Sequence, residues 1–481
     1  MNKQKNKQLK ILNQAIKAIE KKKGKKLVES EENKKIINIL EKFLIKKKLI
    51  CYGGTAINNI LPKKDQFYDK NIEFPDYDFF SKNALEDAKE LANIYFKEKF
   101  EDVEAKAGIH SGTFKVFVNF KPIADITQLD DTIFSIIKKD SIIREKIYYA
   151  PPDFLRMSMY LELSRPDGDV SRWEKVLKRL ILLNKNYPLQ GIDCKSDNFE
   201  KEFLNNIEKE KINNIIKIIA IKNNIVFFGA FSVSLYSKFL KNKKFLNIPN
   251  FDLLSINPLD AANKIKDELK KSYNNVLIEF HNSIGENIPF HYEIIVNGES
   301  IAYLYKTQAC YNYNKLKINN KIYRIATIDT LLSFYLSFYF TNTPYYDRNR
   351  ILCISEFLFK IQQKYKYIQK GILKRFTPTC YGKQKTLEEI RKEKNFKYNQ
   401  LKTKKNSKDY EFNFLKYNPN FSESYNKENS YLTFKNKTNK KSLNKNNKKS
   451  SNKSIKKSSN KTNKKSSNNT NKKSSNKNIK Q

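Results

Sequence analysis

The sequence predicts an α+β protein made of two copies of one unit, followed by a basic tail. Helical and strand patterns alternate over most of its 481 residues, with apolar residues at helical spacing in some stretches and in short runs in others. Several groups of residues recur in the same order about 176 residues later, which indicates an internal duplication. The last stretch is almost entirely Lys, Asn and Ser, a composition that cannot form a core.

These patterns divide the chain into five segments. We expect an N-terminal helical segment at 1–48, a first unit at 49–190, a degenerate second unit at 191–374, a basic C-terminal arm at 375–434 and a disordered tail at 435–481. The tail holds 17 Lys and no acidic residue, and its removal leaves +25 of the net charge of +42 on the other 434 residues. The body of the protein is therefore basic by itself, which favours a polyanionic partner.

Cysteine and histidine are scarce, at five and three residues, and no two Cys have the spacing of a zinc-binding pair. We therefore expect neither a disulfide framework nor a Cys/His zinc site, and we expect a reducing compartment. The N-terminal sequence is not a secretory signal, and the longest apolar run, Leu331 to Phe340, is shorter than the ~20 residues that a membrane-spanning helix needs. These features predict a soluble intracellular protein with no membrane partner.

The first unit is predicted to begin with a strand, a glycine turn and a helix. Gly53 and Gly54 follow the first strand and precede a helical stretch, Thr55 to Leu61. The strands are predicted at Leu49 to Tyr52, from near Asp76 onward, at Thr113 to Phe120 and at Ile123 to Thr127. In the segment before them, one apolar helix face is predicted to pack on the core, and its residues are Ile36, Ile37, Leu40, Phe43 and Leu44.

The second unit repeats these landmarks in the same order. Gly229 lies 176 residues after Gly53, and the stretch from Asn250 to Ser255 matches the stretch from Asp76 to Ser81. Glu293 comes next, and we expect it at the position that Asp125 has in the first unit. The series ends with Ala326, Asp329 and Leu331, which lie 176 residues after Ala150, Asp153 and Leu155.

Three carboxylates of the first unit are predicted to share one site. Asp76 and Asp78 lie two residues apart on a strand, so their side chains point to the same face, and Asp125 on a neighbouring strand can join them. Clustered carboxylates repel one another unless a cation compensates their charge, and oxygen ligands suit Mg²⁺ or Mn²⁺. Because two such ions stabilise the attacking and leaving oxygens of phosphoryl transfer, the sequence predicts a site for that chemistry.

The glycine turn supplies a second element of such a site. Backbone N–H groups at a strand–Gly–helix junction can approach phosphate oxygens closely, and Thr55 or Asn58 can add a hydrogen bond. A Gly-Gly pair alone is more often a plain turn. Its position upstream of Asp76 and Asp78 favours the binding of a nucleotide triphosphate.

Five longer strings resemble a known family. They are YGGTAINNILP, EFPDYDFFS, AGIHSGTFKVFVNF, PIADIT and RFTPTCYGKQKTLEEIR. The first, second and fourth resemble the nucleotidyltransferase superfamily, which includes DNA polymerase beta and the poly(A) polymerases. All five together resemble the poly(A) polymerase catalytic subunit of poxviruses and giant cytoplasmic DNA viruses, over roughly residues 30 to 395.

The resemblance implies a catalytic nucleotidyltransferase domain followed by a degenerate copy, in agreement with the duplication. It implies that Asp76 and Asp78 bind both metal ions and that Asp125 completes the site of the ion that activates the RNA 3′-OH. It also implies that the glycine turn and Thr55 hold the phosphates of ATP.

The second copy departs from this pattern. Asn250 replaces the first Asp and Ala230 replaces the second Gly. Because Asn cannot supply the missing negative charge, we expect two-metal binding to fail there. The copy is predicted to have a structural or RNA-binding role.

Further residues are candidates for contact with RNA, and two groups stand out. A basic ridge on one predicted helix is formed by Arg172, Lys175 and Arg179, which could contact ATP phosphates or RNA or form a solvated helix face. The basic and aromatic arm suits the stacking of single-stranded RNA, and its candidates are Arg375, Phe376 and Tyr381.

Together these observations predict template-independent transfer of AMP from ATP to the 3′-OH of single-stranded RNA, with release of pyrophosphate. Two alternatives are open: uridylyl or CCA-type transfer at the same site, and a non-catalytic RNA-binding scaffold, which the intact carboxylates argue against. As partner, the resemblance implies either a separate processivity subunit or a second copy in a homodimer. It also implies the viral factory in the host cytoplasm, or the virion, as location.

Overall fold

The computed structural model of the protein describes residues 2–192, 194, 206–240, 248–341 and 347–420. The predicted disordered tail, 435–481, and the end of the predicted arm lie outside these residues. Within them, no helix is long and apolar enough to cross a membrane.

The predicted N-terminal helical segment forms two helices, α1 (Asn2–Glu29) and α2 (Glu31–Lys47). They are separated at Ser30, whose extended backbone begins α2, and Glu31 and Glu32 favour the positive end of the α2 helix dipole. The predicted apolar face of α2 is confirmed, because four of its five residues are buried and Ile37 is half-buried.

The first copy then alternates strands and helices. Its elements are β1 (Ile50–Tyr52), α3 (Gly53–Ile60), β2 (Tyr77–Ser81), α4 (Ala84–Lys97), β3 (Val103–Ala107), β4 (Thr113–Val118), β5 (Lys121–Gln128), α5 (Asp131–Lys139), β6 (Ile142–Arg144), β7 (Ile147–Tyr149), α6 (Pro152–Leu163) and α7 (Trp173–Asn186). The predicted strands and helices of this unit are thereby confirmed, with β2 beginning one residue after Asp76.

The second copy has its elements in the same order, except that its described residues hold no counterpart of α5. They are α8 (Asn206–Lys222), β8 (Val226–Phe228), α9 (Ala230–Leu240), β9 (Phe251–Ser255), α10 (Pro258–Leu269), β10 (Val276–His281), β11 (His291–Val296), β12 (Glu299–Lys306), β13 (Tyr311–Ile318), β14 (Lys321–Ala326), α11 (Ile328–Tyr339) and α12 (Arg348–Lys364). The arm adds β15 (Cys380–Tyr381), α13 (Leu387–Leu401), α14 (Lys408–Phe414) and β16 (Lys416–Tyr417).

The strand orders of the two sheets confirm the duplication. The first sheet has the order β16-β3-β4-β5-β2-β1-β7-β6 and the second has the order β10-β11-β12-β9-β8-β14-β13-β15. Apart from β15 and β16, each strand has a counterpart in the other sheet. In register, Ile50 pairs with Tyr148 in the first sheet and Val226 pairs with Arg324 in the second, so both partners are displaced by the predicted 176 residues.

Corresponding helices of the two copies pack on each other. Helix α6 follows β7, α11 follows β14, and these two helices are in direct contact. The rings of Phe154 and Phe340 meet edge to face with centroids 5.2 Å apart, and the Tyr160 hydroxyl donates to Gln362 Oε1 at 3.0 Å. This interface fixes the second copy on one side of the first sheet.

The arm is part of the folded body and touches both sheets. Strand β15 pairs with β13 at the edge of the second sheet, and β16 pairs with β3 at the edge of the first. Between them, Thr386 and Glu389 form the capping box that starts α13. At the beginning of the arm, the buried Arg375 guanidinium forms two hydrogen bonds to buried Asp329, at 2.9 and 2.7 Å.

The expectation that the cysteines stay unpaired is wrong. Cys194 is bonded to Cys353 and Cys310 to Cys380, across sequence separations of 159 and 70 residues, while Cys51 is free and buried. The second disulfide joins the start of the arm to the segment beside β13. The sequence did not indicate these pairs because their partners are brought together only by the fold of the second copy.

We expect the buried Asp329–Arg375 pair to hold the arm on the second copy. Asp329→Ala should lower the free energy of unfolding by about 3–5 kcal/mol, because it leaves a buried guanidinium without its charged partner. Chemical denaturation measures this change. The matched control is Asp260→Ala, which breaks the exposed pair with Lys264 and should cost less than about 1 kcal/mol. Equal losses in the two variants would contradict this role.

Candidate active site

The structure brings two of the predicted carboxylates together on neighbouring strands. Strands β2 and β5 are parallel, and Asp78 is the direct register partner of Asp125. Asp76 lies one residue before β2 and is exposed. Because side chains alternate along a strand, the three carboxylates lie toward one face of the sheet.

The negative charges of neighbouring carboxylates raise the pKa of Asp76 and of Asp78. Burial, and then the negative charges of Asp76 and Asp125, raise the pKa of Asp78 to about 7. The pKa of Asp76 is also raised, first by partial loss of solvent and then by the charge of Asp125. The site therefore carries more negative charge than the surrounding side chains neutralise, and it favours a cation.

Lys115 is a residue of this site that the sequence analysis missed. It lies on β4 opposite Asp125, and its ammonium group contacts Asp125 Oδ2. Its positive charge also opposes the rise in the pKa values of Asp76 and Asp78. The signal for it was present in the sequence, because Lys115 interrupts an apolar strand at a position that faces the same side as Thr113.

The three carboxylates do not converge on a single point. Among the described residues, the groups of ligand atoms that lie within 4.8 Å of one another are Asp167 with the Cys310–Cys380 pair, and Glu279 with His281 and Glu293. At the predicted site, Lys115 holds the Asp125 carboxylate instead. A divalent ion shared by the carboxylates would take over the charge compensation that Lys115 supplies.

The glycine turn packs directly on the carboxylate of Asp78. Gly53 directly follows β1 and has φ +73°, and a β-carbon at this position would collide with Asp78 Oδ2. A β-carbon at Gly54 would lie 2.7 Å from the Tyr68 hydroxyl and 2.9 Å from the Arg179 guanidinium. Gly53 is therefore required where it stands, whereas a β-carbon at Gly54 would displace the ends of two flexible side chains, and the turn lies between a carboxylate and a guanidinium.

Thr55 and Asn58 are both buried and both bonded within the protein. The Thr55 hydroxyl donates to the Asp76 carbonyl oxygen at 2.5 Å. The amide oxygen of Asn58 accepts from the backbone N–H groups of Phe67 and Tyr68, each at 2.8 Å. These bonds hold the loop before β2 against α3, and direct binding of nucleotide by either side chain stays a prediction.

The basic ridge is divided by the structure. Arg179 donates to the Tyr68 hydroxyl and its guanidinium lies 5.0 Å from the centre of the Phe67 ring, which holds it over the glycine turn. Lys175 lowers the raised pKa of Asp76 through its charge. Arg172 is more exposed and pairs with Glu162 at 3.2 Å. Arg179 is thus the member of the ridge that lies at the candidate phosphate site.

The candidates at the start of the arm are tied into the protein. Arg375 is buried in its pair with Asp329, Phe376 lies near Trp173 with ring centres 6.2 Å apart, and the Tyr381 hydroxyl accepts from the Ile256 N–H at 3.3 Å. A buried Arg375 cannot reach an RNA strand, so its predicted RNA contact is wrong. The other two remain predictions.

The degenerate copy keeps the same glycine turn but lacks the first of the three carboxylates. Gly229 has φ +73° and packs on the buried Asp252 as Gly53 packs on Asp78, while Asn250 stands in place of Asp76. Burial raises the pKa of Asp252 to about 7, and the charge of Arg350 on α12 opposes the rise. The cavity beside them, about 50 Å³, is lined by Asp252 and Arg350 among others. It is too small for a nucleotide.

The predicted counterpart of Asp125 in this copy is wrong. Tyr303, not Glu293, is the register partner of Asp252 on the parallel neighbouring strand. Glu293 lies one strand further out, opposite Tyr303, and so corresponds to Lys115. The Tyr303 hydroxyl donates to Glu293 Oε1 at 3.0 Å. The acidic side chain of Glu293 led to this assignment, whereas the position that corresponds to Asp125 lies on the next strand, β12, and holds a tyrosine.

Comparison with known proteins agrees with this geometry. Residues 38–169, which include the glycine turn and the three carboxylates, match the family described as "Poly(A) polymerase catalytic subunit". A relative from African swine fever virus (isolate Tick/South Africa/Pretoriuskop Pr4/1996), which carries the provisional name of poly(A) polymerase catalytic subunit, is 36% identical over 173 residues. A relative of the same provisional name from Acanthamoeba polyphaga mimivirus is 32% identical over 170 residues.

These sequence matches are partial, whereas the structural match is nearly complete. They cover 35% and 34% of this chain, and they span 36% and 29% of the two relatives, about a third of each. The crystal structure of the Megavirus polyadenylate synthase has a TM-score of 0.73 at 22% identity, and the match covers 83% of this chain and 84% of that chain. The protein therefore shares that fold, and the predicted resemblance to the poly(A) polymerase catalytic subunit family is confirmed over residues 38–169.

Proposed function

We propose that this protein is a template-independent poly(A) polymerase, which transfers AMP from ATP to the 3′-OH of RNA and releases pyrophosphate. The observation that carries the proposal is the pairing of Asp78 with Asp125 beside a glycine turn, within the segment that matches the poly(A) polymerase family. Carboxylates beside a turn of free N–H groups suit a metal-bound triphosphate.

The carboxylates fit divalent metal ions, because they are oxygen ligands on one face of the sheet and the pKa values of Asp76 and Asp78 are raised by their neighbours' negative charges. We propose that Asp76 and Asp78 bind two Mg²⁺ or Mn²⁺ ions and that Asp125 completes the site of one of them. Such ions activate the attacking 3′-OH and neutralise the charge on the leaving pyrophosphate. Thr55 contributes by holding the backbone of Asp76 through its hydrogen bond.

We infer that the phosphates of ATP lie over the glycine turn. The N–H groups at the start of α3 point out of the end of that helix, where its dipole favours negative charge. Arg179 lies against Gly54 and adds a positive charge that the Tyr68 hydroxyl holds in place. ATP would thus be held by backbone groups on one side and by Arg179 on another.

The partners are proposals of the same kind. Single-stranded RNA is the polyanion that the charge of +42 suits, and either a homodimer or a separate processivity subunit is compatible with the sequence. A location in the host cytoplasm is proposed from the family resemblance alone.

The nucleotide that is transferred separates this function from its alternatives. Labelled single-stranded RNA, incubated with each NTP separately and with Mg²⁺ or Mn²⁺, should be extended with ATP. Asp78→Asn should lower the rate at least about a hundredfold, because it removes a charge that the transition state requires. The matched control is Asp252→Asn in the degenerate copy, which should leave the rate unchanged. Extension with another NTP would show that a different nucleotide is transferred and would contradict polyadenylation. An equal loss of rate in both variants would contradict the assignment of Asp78 to the active site.

Metal binding should depend on pH through Asp78. Its pKa in the metal-free protein is raised to about 7 from an ordinary 3.8, so its contribution to stability is present at low pH and lost as the pH rises through 7. A divalent ion relieves that loss. Mn²⁺ should therefore raise the Tm more at pH 8 than at pH 6, and Asp78→Asn should abolish most of this difference. An equal Mn²⁺ effect at both pH values would contradict the assignment.

Arg179 should contribute to ATP binding rather than to RNA binding. Arg179→Ala should raise the KM for ATP about tenfold, the effect expected when one charged interaction with phosphate is removed. The control is Lys178→Ala on the same helix, which removes an exposed lysine paired with Glu174. An unchanged KM for ATP in Arg179→Ala would rule out the contact.

A further inference from the structure

A large groove lies where the two copies and the arm meet, and we call it the three-part groove. Its volume is about 1000 Å³. The first copy contributes the turn between β3 and β4, with Ile109, His110 and Ser111, and the second copy contributes Lys306 and the residues after it. The arm forms the remaining wall with α13 and the segment before it.

The groove is positively charged. The arm places five lysines along it, and they are Lys383, Lys385, Lys392, Lys394 and Lys397. Arg165 and Lys306 add two further cations from the body, whereas the acidic residues of the groove are Glu286, Glu389 and Glu393. Two of these carboxylates pair with Lys383 and Lys385. An excess of four positive charges remains, which suits a polyanion.

Two buried polar atoms in the groove have no hydrogen-bond partner in the described structure. They are Nε of Arg165, which is a donor, and Oε1 of Gln384, which is an acceptor. Buried polar atoms are rarely left unpaired unless a ligand or water completes them. A ligand that satisfies both must itself offer acceptors and donors, as a nucleotide strand does with its phosphates and bases.

The β3–β4 turn connects the groove to the strand that lies opposite Asp125. The β3–β4 turn leads into Thr113, which pairs with Thr127, two residues beyond Asp125. Thr113 and Thr127 share a hydrogen bond on the same strand face as Lys115 and Asp125. Ser111 is the turn residue of the groove that is nearest to Lys115 along the chain, four residues before it, and at about 3.3 Å per residue this places it about 13 Å from the position opposite Asp125.

We propose that the three-part groove holds the RNA strand immediately upstream of its 3′ end, and that this is why the arm is built into both sheets. The inference rests on the proposed function for the identity of the strand. Backbone phosphates would lie along the arm lysines, while Arg165 and Gln384 would contact one nucleotide near the catalytic strand. The arm thus contributes through α13, and not through its buried first residue, Arg375.

Binding of RNA without turnover tests this proposal. The full chain would be titrated into a fluorescent single-stranded RNA of about 15 nucleotides, in the size range of single-strand binding sites, without ATP and over a series of salt concentrations. The test variant is Lys392→Ala with Lys397→Ala on α13. The matched control is Lys264→Ala with Lys270→Ala at α10, which removes the same charge. Each variant breaks one ion pair, that of Lys397 with Asp409 in the test variant and that of Lys264 with Asp260 in the control. Thermal melting would verify that both variants fold.

The groove variant should raise the Kd for RNA at least about fivefold. It should also lower the slope of log K against log salt by about 1.4, because each phosphate that a lysine no longer neutralises lowers the slope by about 0.7. The control should bind as the wild type does. Equal binding by the two variants would overturn the inference, even if the wild type extends RNA with ATP. Conversely, a wild type that binds RNA through the groove but transfers no AMP would overturn the proposed function and leave the groove assignment standing.

Discussion

The contact between a glycine backbone and an aspartate carboxylate is the constraint on which both halves of this protein depend. Strands β1 and β2 are antiparallel neighbours, and Gly53, the residue after β1, lies against the carboxylate of Asp78. A β-carbon at Gly53 would collide with Asp78 Oδ2, and the backbone there turns through positive φ. Glycine alone meets both demands cheaply. The same contact recurs between Gly229 and Asp252, which shows that it belongs to the fold itself.

The two copies differ in what neutralises that carboxylate. In the first copy, three acidic side chains share one lysine, and the pKa of Asp78 stays high. In the second, Asn250 and Tyr303 have replaced two of the acidic groups, and Arg350 supplies a permanent positive charge from α12. A guanidinium cannot leave as an ion can. In the second copy, a positive charge that belongs to the chain itself thus lies near the carboxylate that corresponds to Asp78.

The arm joins the two similar units, because it pairs with an edge strand of each sheet. Because β15 extends the second sheet and β16 extends the first, the chain between them runs from the edge of one sheet to the edge of the other. The buried Asp329–Arg375 pair and the Cys310–Cys380 bond fix the point from which it crosses. The basic groove is therefore a consequence of where the arm begins and ends, rather than of any single basic residue.

The sequence by itself determined the duplication, the order of strands and helices, the two-residue spacing of Asp76 and Asp78, and the glycine turn, since these depend on local pattern and on spacing along the chain. Tertiary structure alone decided which side chains meet. It paired Lys115 with Asp125, put Tyr303 rather than Glu293 beside Asp252, buried Arg375 and joined four cysteines. Each of these contacts joins residues whose distance in space depends on the lengths of the loops and on the register of the sheets. Loop length and register cannot be deduced from the periodicity of one strand.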